Sequence, residues 1–130
     1  ELNDIVDKVF RPAIRQTGFT LLVLSDRPKP GLIDDQLRVE IRRSKFLIAD
    51  LTHNNNGAYW EAGFAEGLGK QVIYTCKESV FSDEKLKPHF DTNHHLTIKW
   101  DSNPECFEKT ANELKATVRN AFPTEALQED

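Results

Sequence analysis

Several features that would place this chain in a special class are missing or scarce. Its 130 residues include no methionine and only two cysteines, Cys76 and Cys106, which form no CxxC pair. A disulfide framework is therefore not expected. The protein is expected in a reducing, cytoplasmic compartment. No apolar run approaches the roughly 18 residues that a membrane span requires, so we expect no association with a membrane.

The chain also lacks an excess of positive charge. It carries 17 Lys and Arg against 21 Asp and Glu, a formal net charge of −4, and its pI is about 5.6. Proteins that bind the phosphate backbone of DNA or RNA are usually basic, so a nucleic-acid polymer is not expected as the main ligand. An apolar content of 38% and a charged content of 29% are typical of a folded domain, and the length fits one.

What the chain does have is an alternation of helical and extended patterns. Residues 2–14 carry apolar side chains at three- and four-residue spacing, which predicts a helix that Pro12 kinks and Gly18 ends. The continuous apolar run 19–24 predicts a strand covered on both faces. The other predicted helices begin near Ile33 or span 58–68 and 103–122, and the other predicted strands span 46–49, 72–76 and 96–100.

This order predicts an α/β fold with a parallel sheet between helices, because parallel strands need crossover connections. The last strand alternates in polarity and is expected near an edge. Residues 1–122 are expected to form one domain, and residues 123–130 a polar tail that frays. Ligands bind at the carboxyl ends of parallel strands, so we expect a site at the loops after Leu24, Asp50 and Cys76.

Two carboxylates lie near that edge. Asp50 ends a predicted buried strand, and Glu61 is placed in the first turn of the next helix, on a face shared with Ala58, Ala65 and Leu68. The helix dipole is expected to keep Glu61 ionised, while partial burial makes it reactive. Paired carboxylates suit glycosidic chemistry, in which one attacks an anomeric carbon and the other orients the sugar.

Both carboxylates also have a purely structural interpretation, and spacing alone leaves the two interpretations equally open. Asp50 could accept backbone N–H bonds from the loop over 52–56, and Glu61 could satisfy the free N–H groups at the start of its helix. Glu66 is interpreted as a surface residue, because Lys70 lies four residues further on in the orientation of an ion pair.

Four blocks of sequence carry a resemblance to a known family. They are Ile-Asp-Asp at 33–35, Ile-Arg-Arg-Ser-Lys-Phe at 41–46, Ala-Asp-Leu-Thr at 49–52 and Gly-Ala-Tyr-Trp-Glu-Ala-Gly-Phe-Ala-Glu-Gly-Leu-Gly-Lys at 57–70, with weaker likenesses at 89–92 and 98–100. With these blocks the chain resembles the nucleoside 2-deoxyribosyltransferase superfamily. It looks most like the related bacterial TIR-like (Toll/interleukin-1 receptor-like) nucleotide-binding branch.

The resemblance implies a flavodoxin-like (TIR-like) three-layer sandwich and makes residues 1–122 a nucleotide-binding domain. It implies cleavage or transfer at the N-glycosidic bond of a nucleoside, nucleotide or NAD-like ligand. The family's nucleophilic glutamate falls on Glu61, and a sugar-contacting acid falls on Asp50. The alternative is a non-catalytic nucleotide-sensing or assembly module on the same fold. No cofactor is expected, and no His or Cys spacing matches a metal site.

Two positions depart from the family's pattern. A further acid of the transferases lies six residues before the nucleophile, where this chain has Asn55, and their sugar-gripping acid falls near Leu37. Asp34 or Asp35 could substitute for that acid from one turn earlier. These departures favour hydrolysis or plain nucleotide binding over transfer.

The remaining candidates for ligand contact surround the start of the third predicted helix. Asn55 or Asn56 is expected to contact a sugar hydroxyl, and Gly57 to allow close approach of the ligand. Either Tyr59 or Trp60 is expected to stack on a base, while the other packs in the core or at an interface. A homodimer is also expected, because one small core does not cover an aromatic-rich helix fully.

The start of the pattern adds one expectation about the sheet. A doubly wound domain normally opens with a strand, whereas position 1 of this chain already falls in a helical pattern and no initiator methionine is present. We therefore expect the first strand to be missing from this chain. The sheet should then show a gap or open edge where that strand belongs, or another polypeptide in its place.

Overall fold

Three parallel strands form the sheet in a computed structural model that describes residues 1–23, 33–53, 56–83 and 97–130, with the backbone alone at 33–35 and 56–57. They are β1 (Phe46–Asp50), β2 (Gln71–Lys77) and β3 (Thr97–Trp100), in the order β1-β2-β3. Asp50 lies opposite Thr75, and Lys77 lies opposite Trp100. The strands predicted over 46–49, 72–76 and 96–100 are confirmed within the described residues. Among those residues no strand adjoins the far side of β3, in agreement with its expected place near an edge.

Helices connect and cover these strands. They are α1 (Leu2–Ile5), a π-helical turn (Val6–Phe10), α2 (Arg11–Gln16), α3 (Ile33–Arg43), α4 (Asn56–Gly67), α5 (Glu78–Phe81), a 3-10 turn (Pro104–Cys106) and α6 (Phe107–Ala121). The predicted helix over 2–14 is confirmed, with the wider π-helical turn immediately before α2. Pro12 at the start of α2 lacks an N–H, and its ring crowds the carbonyl four residues earlier, which a wider turn relieves.

Two helices end on a glycine in the left-handed region, as their sequences predict. Gly18 has φ +91° and Gly69 has φ +78°. After α4, the Lys70 N–H donates to Ala65 O and the Gly69 N–H donates to Glu66 O, both at 2.9 Å. This Schellman arrangement satisfies the last carbonyls of the helix and turns the chain directly into β2.

Apolar side chains pack on both faces of the sheet. One cluster joins the first helical stretch and α6 to Ile73, Ile98 and Trp100, and a second joins α3 and α4 to Ala49, Val72 and Tyr74. Val72 and Ile73 are neighbours in sequence yet belong to different clusters, because successive residues of a strand point to opposite faces. The predicted α/β architecture, a parallel sheet with helices on both faces, is confirmed.

The prediction of a strand over 19–24 is wrong for the residues that the structure describes. Residues 19–23 form no strand, and Leu24 lies outside the described residues. Phe19 packs edge-on against Phe46 at 5.4 Å between ring centroids, and the Arg11 guanidinium donates to Leu21 O at 3.2 Å. An apolar run becomes a strand only when a neighbouring strand takes up its backbone groups, and no described strand pairs with residues 19–23.

The outer edge of β1 is the side that faces away from β2. No described strand adjoins this edge. An open edge is one of the two outcomes expected for a sheet without its first strand.

The C-terminal tail does not fray, contrary to expectation. The Leu127 N–H donates to Thr17 O at 2.8 Å, and Ala126 is buried. Asp130 accepts hydrogen bonds from Lys115 and Arg119 of α6, each at 2.7 Å. These contacts fix residues 123–130 against the first helical stretch and α6.

In the described part of the chain, no helix has the length and apolar character needed to cross a membrane.

Candidate functional site

Asp50 ends β1 at the edge where the sequence predicts a site, and three donors hold its carboxylate. Its Oδ2 accepts from Thr75 Oγ1 at 2.7 Å and from Trp100 Nε1 at 2.8 Å. Its Oδ1 accepts from the Thr52 N–H at 3.0 Å. Thr75 belongs to β2 and Trp100 to β3, so one side chain joins the ends of all three strands.

The Asp50–Thr52 bond confirms part of the structural interpretation of Asp50. The residue caps the turn that follows its own strand, and Thr52 passes the connection on, because its Oγ1 accepts from the Lys77 N–H at 2.9 Å. Asp50 is therefore fixed in position before any ligand arrives. Its Oδ1 accepts one bond in the described structure, which leaves an acceptor site on that oxygen.

Glu61 contrasts with Asp50. Its side chain is half-buried on α4, and it makes no hydrogen bond or ion pair with the residues that the structure describes. Burial raises the pKa of the Glu61 carboxyl above its ordinary value. The structural alternative, in which Glu61 satisfies the free N–H groups of its own helix, has no support among the described residues.

The position of Glu61 on its helix differs from the predicted one. The helix begins at Asn56 rather than at Ala58, so Glu61 is its sixth residue and lies in the second turn. The field of the helix dipole falls off within the first turn. Desolvation, which favours the neutral acid, decides the direction of the pKa shift, and the dipole does not.

Asp50 and Glu61 both line one cavity of about 450 Å³. Asp50, Glu61 and Glu40 line it together with apolar side chains that include Phe10, Leu21, Val23, Leu37, Ile41 and Leu47. The described lining includes no lysine or arginine. The cavity runs along the open edge of β1, with the two candidate catalytic residues in its wall.

The structure describes only in part, or not at all, several of the residues that are predicted to contact the ligand. Asn55 lies outside the described residues. Asn56 and Gly57 form the start of α4, and Asp34 and Asp35 lie in the first turn of α3, with only their backbones described. Their roles stay predictions.

The two aromatic candidates take different places, and neither lines the cavity. Tyr59 is half-buried against the core cluster that includes Ala62 and Tyr74. Trp60 is 44% exposed and stacks on Phe64 at 5.3 Å and 7° between ring planes. The structure thus does not bring Tyr59 into the candidate site.

Other potential reactive groups near the site are accounted for. Glu66 is exposed, as predicted, and accepts a hydrogen bond from Tyr74 Oη at 2.6 Å. Burial, followed by the charge of Asp50, raises the pKa of the Cys76 thiol to about 11, so this cysteine is neutral near pH 7 and a poor nucleophile. Within the described ranges, no group of three His, Cys, Asp or Glu side chains could hold a metal ion.

Sequence reasoning missed the two residues that position Asp50 from other strands. Thr75 is 25 residues away and Trp100 is 50 residues away. Both lie near the carboxyl end of a predicted strand, and that shared position is the signal that could have placed them beside Asp50.

Comparison with known proteins adds nothing further: no family profile, curated protein or solved structure matches this chain.

Proposed function

We propose that this chain cleaves or transfers across the N-glycosidic bond of a nucleoside-type ligand, with Glu61 as the nucleophile. The observation that carries the proposal is the state of the Glu61 carboxylate. It is half-buried, makes no hydrogen bond with the described residues and lies in the wall of a cavity of about 450 Å³ that also reaches Asp50. A carboxylate kept for structure is normally hydrogen-bonded when buried, so an unengaged one is a candidate for chemistry.

The proposed reaction needs only groups of this kind. An oxygen of ionised Glu61 attacks C1′ of the sugar, the bond from C1′ to the base nitrogen breaks, and its electron pair leaves with the base, which takes a proton from solvent. Water then attacks C1′ of the glycosyl ester, the bond from C1′ to the Glu61 oxygen breaks, and a proton from the water passes to solvent, which frees the sugar and restores the carboxylate. In a transfer, a second base attacks C1′ in place of water and gives up its own proton to solvent. Burial raises the Glu61 pKa, which makes the ionised carboxylate a stronger base and nucleophile.

Asp50 has the positioning role in this proposal. Thr75 and Trp100 occupy its Oδ2, and Thr52 donates to its Oδ1, so the carboxylate is rigidly oriented. The acceptor site left on Oδ1 suits a sugar hydroxyl. A rigid acceptor orients the ribose ring with little loss of entropy on binding.

The charge of the cavity separates the possible ligands. Three carboxylates and no described basic residue line it. A phosphate placed there would lose its hydration shell and face like charges, so the lining favours an uncharged nucleoside over a nucleotide or an NAD-like ligand. Any phosphate of a larger ligand would have to extend outside this cavity.

A non-catalytic nucleotide-sensing or assembly module is the second candidate function, and one observation favours it. Asp50 accepts hydrogen bonds from Thr75 of β2, from Trp100 of β3 and from Thr52 in the turn after β1, so in the described structure it links its own strand to the other two. On this reading the cavity binds a ligand without turnover. The ligand then changes the stability of the edge that Asp50 organises.

The fold family, the oligomeric state and the cellular location belong to the same proposal. A three-stranded parallel sheet with helices on both faces supports a flavodoxin-like layout, and the blocks around Asp50 and Glu61 support a TIR-like relative of the deoxyribosyltransferases. The exposed Trp60–Phe64 stack supports a homodimer. A reducing, cytoplasmic location is proposed because Cys76 and Cys106 are both free thiols.

The experiment is an incubation of the chain with a panel of nucleosides, nucleotides and NAD, read by chromatography for released base and by calorimetry for binding. The proposal expects free base from at least one nucleoside and loss of that activity in Glu61→Gln. Binding without base release would support the sensing module instead. Neither binding nor release across the panel would overturn both candidates.

A further inference from the structure

The outer edge of β1 carries backbone groups that point away from its one described neighbour. The Leu51 N–H donates to Thr75 O of β2 at 2.9 Å. In a parallel strand, the N–H and C=O of one residue point to the same neighbour, and successive residues alternate between the two sides. Ala49 therefore shares the direction of Leu51, while Ile48 and Asp50 direct their backbone groups to the outer side, where the described residues hold no strand.

A trough runs along this outer edge. Two cavities, of about 450 and 330 Å³, lie between residues 19–23 and β1, and Leu21, Leu22, Leu47 and Ile48 line both of them. Phe19 and Phe46 close one end, where their rings meet at 5.4 Å. The trough is thus bounded by a strand edge on one side and by residues 19–23 on the other.

The sequence of β1 is that of an interior strand. Its first four residues are Phe46-Leu47-Ile48-Ala49, with no lysine, proline or bulge of the kind that protects a natural edge. Leu22, on the far wall of the trough, is 43% exposed. Apolar side chains beside backbone groups that no described strand pairs are a receptor for a strand, because a strand satisfies both at once.

Charge gives the trough a direction. Arg43 and Lys45 line it at the end where β1 begins, and Asp50 and Glu61 line it at the end where β1 finishes. Glu40 lines both cavities and Lys45 pairs with Glu125 at 3.6 Å, so Arg43 is the main positive charge at the first end. A strand that runs parallel to β1, like the two strands already in the sheet, places its first residue near the basic end and its last residue near the carboxylates. An acidic first residue and a basic last residue complement these charges.

We propose that the trough is a docking site for an extended peptide segment, which enters the sheet as a strand parallel to β1, between β1 and residues 19–23. The segment is apolar on both faces, because the cores above and below the sheet continue on either side of it. β1 is five residues long and spans about 16 Å, so an occupant of five or six residues covers its edge. The larger cavity of the trough is also the proposed nucleoside site, so a docked segment and a nucleoside exclude each other at its Asp50 end. The docking proposal rests on the backbone edge of β1 and does not depend on the chemistry of Glu61.

A synthetic peptide tests this docking site directly. The probe is acetyl-Asp-Ile-Val-Ile-Val-Lys-amide, and the readout is amide hydrogen exchange of the intact chain resolved by residue. Saturating peptide should slow exchange at Ile48 and Asp50 at least tenfold, because those N–H groups gain acceptors. The Ala49 amide already bonds to β2 and should change little, which makes it the internal control.

Two matched peptides separate strand pairing from mere apolar adhesion. One carries N-methyl groups on alternate residues, and the other carries them on the complementary set. Only one set of amides can face β1, so one peptide should lose binding at least tenfold more than the other. A peptide with Lys first and Asp last should bind several-fold more weakly than the probe.

Three results would overturn the proposal. They are unchanged exchange at Ile48 and Asp50 with saturating peptide, equal binding of the two N-methylated peptides, and full protection of both amides before any peptide is added. The last result would mean that this chain itself already fills the edge.

Discussion

The indole Nε1 of Trp100 donates a hydrogen bond to Asp50 Oδ2 at 2.8 Å, and this bond connects β3 to β1 across the end of β2. Thr75 of β2 donates to the same oxygen at 2.7 Å. The carboxylate that sequence reasoning selects for ligand chemistry is thus also the point where the three strands are joined.

Removal of the Trp100 donor should destabilise the fold measurably. Trp100→Phe keeps an aromatic ring in the core but leaves Asp50 Oδ2 with one donor fewer, and a hydrogen bond to a charged group contributes about 1.5–3 kcal/mol. Chemical denaturation should show a loss of that order. Trp60→Phe is the matched control, because Trp60 is 44% exposed and makes no such bond, and its loss should stay within about 0.5 kcal/mol. Equal losses in the two variants would contradict the role of the Trp100–Asp50 bond.

The pH dependence of stability should reveal the burial of Glu61. Burial raises its folded-state pKa above the ordinary value of 4.5, so the folded state binds the proton more tightly than the unfolded state does. The ionised form therefore costs stability, and that cost is absent at low pH and develops as the pH rises through the raised pKa. Glu61→Gln, which stays neutral, should have the higher melting temperature at pH 7 and lose that advantage below about pH 4.5. An advantage that is the same at every pH would contradict the burial of a charged Glu61.

Asp130 should show the opposite sign. Hydrogen bonds from Lys115 and then from Arg119 lower the pKa of its carboxyl, so ionised Asp130 stabilises the folded state. The contribution is present above the ordinary pKa of 3.8 and is lost as the pH falls through the lowered folded-state value. Wild-type chain should melt above Asp130→Asn at pH 7, and the two curves should converge in acid. Asp4→Asn is the control, because its ion pair with Lys8 is exposed at both partners.

The exposed aromatic stack on α4 should form an interface if the chain is a homodimer. Trp60 is stacked on Phe64, and Arg38 lies over the Trp60 ring at 5.6 Å. Light scattering at high micromolar concentration should give the mass of two chains, and Trp60→Ala should shift the population towards the monomer. A wild-type monomer under those conditions would contradict the dimer.

The sequence predicts the parts of the fold that depend on local pattern. The apolar runs of β1, β2 and β3 and the glycines that end two helices are found where expected, because burial and backbone conformation select those residue types. The run over 19–24 has the same composition, and residues 19–23 nevertheless form no strand. Composition shows that a segment can pair, and only the presence of a neighbour decides whether it does.

The candidate site shows the same limit in its side chains. The sequence selects Asp50 because it ends a predicted strand and Glu61 because it lies in the helix that follows, and their chemical roles stay predictions. The partners of Asp50 are not evident from the sequence, since Thr75 and Trp100 are 25 and 50 residues away. α4 begins at Asn56, two residues before the predicted start, so Glu61 lies in the second turn. The helix dipole is weak there, and desolvation therefore sets the direction of the Glu61 pKa shift. The docked tail depends on contacts of Asp130 with α6 that no local pattern reveals.

The most direct test of the account is the rate of base release by Glu61→Gln, measured by chromatography with the nucleoside that the wild-type chain cleaves best. Glutamine keeps the shape of the side chain and removes the negative charge, so the rate should fall by at least about a hundredfold while the fold persists. Glu66→Gln is the matched control: it retains an amide oxygen to accept from Tyr74 and should stay within about twofold of wild type. A Glu61→Gln variant with near-native turnover, or a wild-type chain that releases no base from any nucleoside, would contradict a nucleophilic Glu61.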